Sequence, residues 1–195
     1  MKLRLKILFQ PSLVKSLYLD MKFFVSLFLC VLVFSCKAKQ SNLITEKQEF
    51  NSSSYCPDNG VCSIELIPNS TLDQKKGTLG ELYVTVKEGE NLVFKFSYKK
   101  NVPEGVMDAH YIEEVYAELD SNLSDISIKG KELSNVKFMY NRICYCKGQT
   151  GFYKINNGNL FVKKIDAKTY NIQFESSVEE VPQIVTRINE TFILD

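Results

Sequence analysis

Cys144 and Cys146 stand one residue apart in Arg-Ile-Cys-Tyr-Cys-Lys, and Cys56 and Cys62 enclose a five-residue segment. These thiols are the side chains best equipped for chemistry. A set of cysteines can close disulfides, hold a soft metal ion or exchange with other thiols. Zinc sites usually space their cysteines by two to four residues, and here the intervals are five and one. The metal reading therefore narrows to Cys144 and Cys146 as soft ligands for an ion such as Cu(I). No Cys-x-x-Cys occurs, so a thioredoxin-like site is not indicated. Structural disulfides are the first expectation, with soft-metal binding or thiol redox chemistry at Cys144 and Cys146 as the alternative.

Pairing is constrained by strand geometry. On an extended strand Cys144 and Cys146 share a face, with α-carbons about 6.5–7 Å apart. That is the outer limit of disulfide reach, with the side chains parallel instead of converging. A bond between them is not expected unless the strand bends. Bridges from Cys56 and Cys62 to the Cys-Tyr-Cys strand would close loops of about 80–90 residues, the first contributing roughly 4–4.7 kcal/mol. The other arrangement is a local Cys56–Cys62 loop, leaving Cys144 and Cys146 as a vicinal pair or free thiols.

Other catalytic chemistry is thinly supported. His110 is the only histidine, and it stands at a strand start beside Asp-Ala, where a surface position is expected. Glu113-Glu114 and Glu179-Glu180 are adjacent carboxylates, but neighbours on a strand face opposite sides. Glu114 and Glu118 share a parity, too far apart along a straight strand for close coupling. A solvated sheet face or a guarded edge is expected for these acids. The glycines of Lys-Gly-Gln-Thr-Gly do not have phosphate-loop spacing and read as a turn. No catalytic residue is assigned, no cofactor is implied, and a non-enzymatic role is expected.

Which cysteines count depends on the N-terminal region. Phe23 to Phe34 is an apolar run of 12 residues in which only Ser26 is polar. A membrane-crossing helix needs about 20 residues, whereas about 10–14 fits the core of a signal peptide. Met21-Lys22 supplies a short basic start. Val33-Phe34-Ser35-Cys36 follows and resembles the lipobox of bacterial lipoproteins: an aliphatic residue, a variable one, a small one, then cysteine. That resemblance implies cleavage before Cys36 and acyl chains, palmitate among them, on the new N-terminus. Two or more chains hold a protein firmly on a membrane. Residues 1–20 add nothing a signal needs, and Met21 reads as the start of translation. Cys30 would then be discarded and Cys36 consumed by lipid, leaving Cys56, Cys62, Cys144 and Cys146 as disulfide candidates in an exported chain.

The expected organisation is a signal peptide over 1–35, a lipid-anchored polar tether over 36–55 and one β-rich domain over 56–195. Without the leader the chain has 19 basic and 22 acidic residues, a net charge of −3. Such a mildly acidic body does not look like a nucleic-acid binder. Alternation of period two runs through Cys62–Pro68, through two runs around Glu88-Gly89-Glu90, through Tyr111–Asp120 and through Val136–Cys146. Gly151–Asp166 reads as a hairpin around Asn-Asn-Gly-Asn, and Thr169–Ser177 as the next strand. The segment 181–194 fits a helical face or a strand, and its β-branched residues favour strand. Eight or more short strands predict a mostly β domain, an antiparallel sandwich or barrel.

With its lipobox, this body resembles lipoproteins of the Bacteroidota, of the flavobacterial type. The resemblance rests on CPDNGVCSIELIPN, RICYCKGQTGFYKI and EVPQIVTRINETF. It implies an envelope location and a β fold, and no reaction. By likeness to lipoprotein sorting, the Lys-Ala after Cys36 points to the outer membrane, and the basic Lys-Ala-Lys-Gln to its periplasmic side. The expected partners are the membrane, through the anchor, and an envelope protein or glycan. Ten tyrosines and 13 phenylalanines, without tryptophan, are mostly core by alternation.

Overall fold

The computed structural model describes residues 46–50, as backbone, and 56–194 in full. The predicted leader, Cys30 and Cys36 lie outside the described residues. Eleven strands make up the described chain: β1 (Glu46–Phe50), β2 (Gly60–Lys76), β3 (Leu82–Glu88), β4 (Asn91–Lys100), β5 (Tyr111–Leu119), β6 (Ile126–Lys129), β7 (Phe138–Cys144), β8 (Gly151–Lys154), β9 (Asn157–Lys164), β10 (Thr169–Ser177) and β11 (Arg187–Ile193). β1 pairs with β2, so sheet structure begins ahead of Cys56, within the segment expected to be tether.

Both architectures expected from the alternation are present at once. Strands β2-β3-β8-β7-β5-β4 close into a six-stranded antiparallel barrel, and β11-β10-β9-β6 form a second sheet. The junction is a bend in β2. Its first half, Gly60 to Ile67, pairs with β4, and its second half, Ser70 to Lys76, pairs with β3. The register shifts between Ile67 and Ser70, where Pro68 withholds a donor and Asn69 adopts a φ of 50°. Ser70 Oγ donates to the Ile67 carbonyl and the Gly89 N–H to Asn69 O, closing the kink.

Two cores result. On one face of the barrel wall, cross-strand rows Leu66–Phe94–Ala117–Phe138 and Ile64–Phe96–Val115–Tyr140 lie in register. They pack against Leu160, Ile172, Phe174, Ile188 and Phe192 of the second sheet. Phe138 and Phe174 meet edge to face at 5.4 Å. The opposite face of the same strands carries Val93, Tyr116 and Met139, which join Ile67, Leu72 and Val84 in a smaller core inside the barrel.

The predicted hairpin over Gly151–Asp166 does not form. β8 pairs with β7 and β3, whereas β9 pairs with β10 and β6. The Asn-rich stretch is a crossing between sheets. Ile155 is fully buried and its N–H donates to Phe138 O, which steers the chain across. Gly158 then passes so close to β10 that a Cβ would lie 1.9 Å from Glu175 O. The C-terminal alternation is a strand, β11, with Ile188 and Phe192 facing inward.

The second sheet has a buried and an exposed face by parity, largely apolar on the inside with Glu190 among its buried residues, which gives a direct test. Phe174→Ala, on the inner face, should lower unfolding free energy by about 3–5 kcal/mol. Phe161→Ala, on the outer face of the neighbouring strand, should cost less than about 1 kcal/mol. Urea denaturation of both variants checks this, and equal costs would contradict the two-faced reading.

Candidate functional site

The four cysteines of the body form two local bridges. Cys56 and Cys62 are bonded with α-carbons 5.8 Å apart, and Cys144 and Cys146 with α-carbons 5.2 Å apart. Of the two arrangements left open, the structure has the local Cys56–Cys62 loop with Cys144 and Cys146 as a vicinal pair, and the long-range bridges do not form. The straight-strand argument failed because β7 ends at Cys144 and the chain turns immediately. The Gln149 N–H donates to Cys146 O at 3.0 Å, Thr150 Oγ1 donates to Cys144 O at 2.7 Å, and Gly148 takes a φ of 71°. That turn brings the α-carbons inside bonding range. Among the described residues no group of three or more His, Cys, Asp or Glu is placed to hold a metal ion.

The two bridges differ in what they hold. Cys62 is buried on β2, so its bond fastens the chain entering the domain to the core. A loop of that length contributes about 2.4 kcal/mol in the chain-entropy account. Cys144–Cys146 spans a single residue, Tyr145, and joins no two elements; its loop contributes about 1.6 kcal/mol at most. Tyr145 is 85% exposed, both cysteines are partly exposed, and Thr150 Oγ1 lies 3.7 Å from Cys144 Sγ.

The paired glutamates do face opposite ways, but the expected solvated face is corrected for one pair. Glu113 and Glu114 are buried because the strand bearing them is covered on both faces. Glu113 points to the second sheet and accepts from the N–H groups of Ile184 (2.8 Å) and Val185 (2.7 Å) and from the Tyr111 hydroxyl. Arg142 lies over the Tyr111 ring and donates to Tyr111 OH and to Gln149 Oε1. Burial, then the charge of Glu113, pushes the Tyr140 phenol far above its usual range and keeps it neutral.

Glu114 points into the barrel. Lys95 reaches it at 2.9 Å, and Asn141 and Tyr116 donate to its other oxygen. Every acceptor is satisfied by the protein, which describes structural carboxylates and not a reactive pair. His110 is exposed ahead of β5, and Glu179 and Glu180 are exposed beyond β10.

Sequence reasoning missed the outer face of the second sheet. Its positions follow alternation: Ser127, Phe161, Gln173 and Asn189 form one cross-strand row. Asn171 donates to Asn189 Oδ1 and Gln173 donates to Asn171 Oδ1, fixing a ladder of amides. Two open depressions of about 250 and 330 Å³ flank this row and share Phe161 and Gln173. Lys129, Lys163 and Arg187 stand on outward positions, with Glu175 among them and Asp125 lining one of the depressions. The available signal was the amides at every second position, hidden because alternation had been read only for its apolar half.

Comparison with protein-family models, curated proteins and solved structures returned no match. Among the described residues, no helix is long and apolar enough to cross a membrane.

Glu118 gives a pH-dependent check of the electrostatics. Burial alone would raise its carboxyl, but Lys137, the Leu72 N–H, Asn91 and Thr71 outweigh that and hold it below the ordinary value of 4.5. A depressed carboxyl contributes stability that is complete above about pH 4.5 and is lost as pH falls through the folded-state value. Glu118→Gln should therefore flatten the acid side of the stability profile. Urea midpoints at pH 7 and pH 3.5 should differ more for the wild type than for the variant.

Proposed function

We propose that this protein is a lipid-anchored binding module of the cell envelope, held by Cys36, and that the outer face of its second sheet binds an acidic glycan without acting on it. The outer face of the second sheet is the observation that carries the binding reading. Amides offer both donors and acceptors to sugar hydroxyls, and the ordered Asn171–Gln173–Asn189 ladder presents them already oriented. Phe161 lies between the two depressions with the Lys129 ammonium 5.2 Å from its ring centroid, which sets a cation and an aromatic surface side by side for an acidic sugar. Three cations against two acids, Glu175 and Asp125, leave this face slightly positive on a body of net −3. Such a face draws an acidic polysaccharide in preference to a neutral one. The two disulfides support an oxidising compartment outside the cytoplasm.

Affinity electrophoresis of the full chain tests the ligand class. Alginate or polygalacturonate should retard the wild type, more strongly at low salt, and dextran should not. Phe161→Ala and Gln173→Ala should each weaken retention about tenfold, equivalent to roughly 1.4 kcal/mol. Equal retention of wild type and variants would dismiss the face. Retardation by an envelope protein alone would replace the glycan.

The anchor is tested separately. Labelling of growing cells with a palmitate analogue should mark the wild type and not Cys36→Ala, and the variant should leave the membrane fraction. Persistent label in the variant would contradict the anchor.

A further inference from the structure

We infer that the Cys144–Cys146 disulfide is a thiol–disulfide exchange site that oxidises reduced, apolar polypeptides, a role independent of the glycan reading. The argument begins with what this bridge does not do. It joins residues two apart in sequence and ties no strand to another, so the fold gains little from it. It is also reachable, at the end of β7, with Tyr145 standing out between its two cysteines. Exposed bridges are the ones that exchange, whereas Cys56–Cys62 is shielded through buried Cys62.

The two sulfurs are not equivalent. Cys144 is held in the last strand position, paired with Tyr111, and has the Thr150 hydroxyl 3.7 Å from its sulfur. Cys146 lies in the turn. A client thiolate attacks Sγ of Cys146, forming a mixed disulfide and breaking the Cys144–Cys146 bond. Cys144 leaves as a thiolate beside the Thr150 hydroxyl, which lowers the cost of the charge by turning its one proton from Cys144 O toward the sulfur. A second client thiolate then attacks the client sulfur of the mixed disulfide and releases Cys146. The client has lost two electrons and closed a disulfide. The Cys144–Cys146 pair has gained those electrons and takes up two protons as a dithiol.

The surroundings indicate the client. The register Tyr111↔Cys144 and Gly60↔Lys100 sends the 101–110 loop, the start of β2 and the Cys-Tyr-Cys turn out of the same end of the barrel. Among the described residues, five of the ten exposed large hydrophobics lie there: Val61, Val106, Met107, Ile143 and Tyr145. Met107 and Tyr145 are each 85% exposed. Apolar side chains beside an exchangeable bond suit an unfolded chain that still shows its core residues.

The full-length protein is equilibrated in glutathione buffers, and free thiols are alkylated and mapped by mass. Cys144–Cys146 should be reduced at glutathione concentrations at least tenfold below those that reduce Cys56–Cys62. Co-reduction of the two bridges would overturn the inference. Reduced, unfolded ribonuclease then serves as the client. The wild type should accelerate its disulfide formation at least tenfold over Cys144→Ser/Cys146→Ser, with both proteins showing the same urea midpoint. Equal rates, or a variant that has lost its fold, would assign the bridge a structural role instead. With oxidised glutathione as the oxidant, Cys144→Ser should form a mixed disulfide through Cys146, releasing one glutathione thiol, faster than Cys146→Ser forms one through Cys144; equal rates would contradict attack at Cys146. Met107→Ser/Tyr145→Ser should slow oxidation of ribonuclease severalfold without changing exchange with glutathione. An unchanged rate would dismiss the apolar seat.

Discussion

The bend in β2 is the constraint on which the architecture turns. A 17-residue strand that stayed straight would have one neighbour along each edge. Kinked at Pro68–Asn69, it pairs with β4 over its first half and β3 over its second, and so closes the barrel. Closure removes sheet edges, but it also leaves β4, β5 and β7 with cover on both faces. One face sees the barrel interior and the other the second sheet. Those three strands can no longer keep a polar side for water.

That double burial explains the internal charges. β5 carries Glu-Glu in a place where both side chains must leave solvent, and each is given a different solution. Glu114 is matched by a cation, Lys95, supported by Glu65 on β2. Glu113 has backbone N–H groups and a phenol. Ionic partners and oriented dipoles both replace the lost hydration, and removing either set would leave a buried charge uncompensated. The same strand position that looked like a solvent-facing pair is the tie between the barrel and the crossing into β11.

The β content, the paired faces and the C-terminal strand were legible because alternation is a local signal. Rows such as Ile64–Phe96–Val115–Tyr140 are visible as parity in each segment taken alone. What escaped was non-local. Tyr-Lys-Ile-Asn-Asn-Gly-Asn has hairpin composition, yet burial of Ile155 beneath Phe138 sends its two strands to different sheets. Pro68-Asn69 reads as a strand end and is a bulge within one strand. The Cys144–Cys146 bond was set aside for the opposite reason, being more local than a straight strand permits. The turn that bends the chain after Cys144 is fixed by Thr150 and Gln149, contacts that alternation does not encode. The amide face escaped because its function lies in the residues that alternation assigns to water.

The ties made by Glu113 also bear on when the chain can become native. Its acceptor oxygens are filled by residues 71 and 72 positions later in the sequence. Until that last stretch arrives, β5 cannot turn Glu113 away from water without stranding a charge, whatever the local strands prefer. Early sheet formation around β4 and β5 is thereby kept open and hydrated on one side. Burial of Glu113 therefore waits for the segment around Ile184 and Val185, so a single carboxylate couples β5 to a stretch 71 and 72 residues further along the chain.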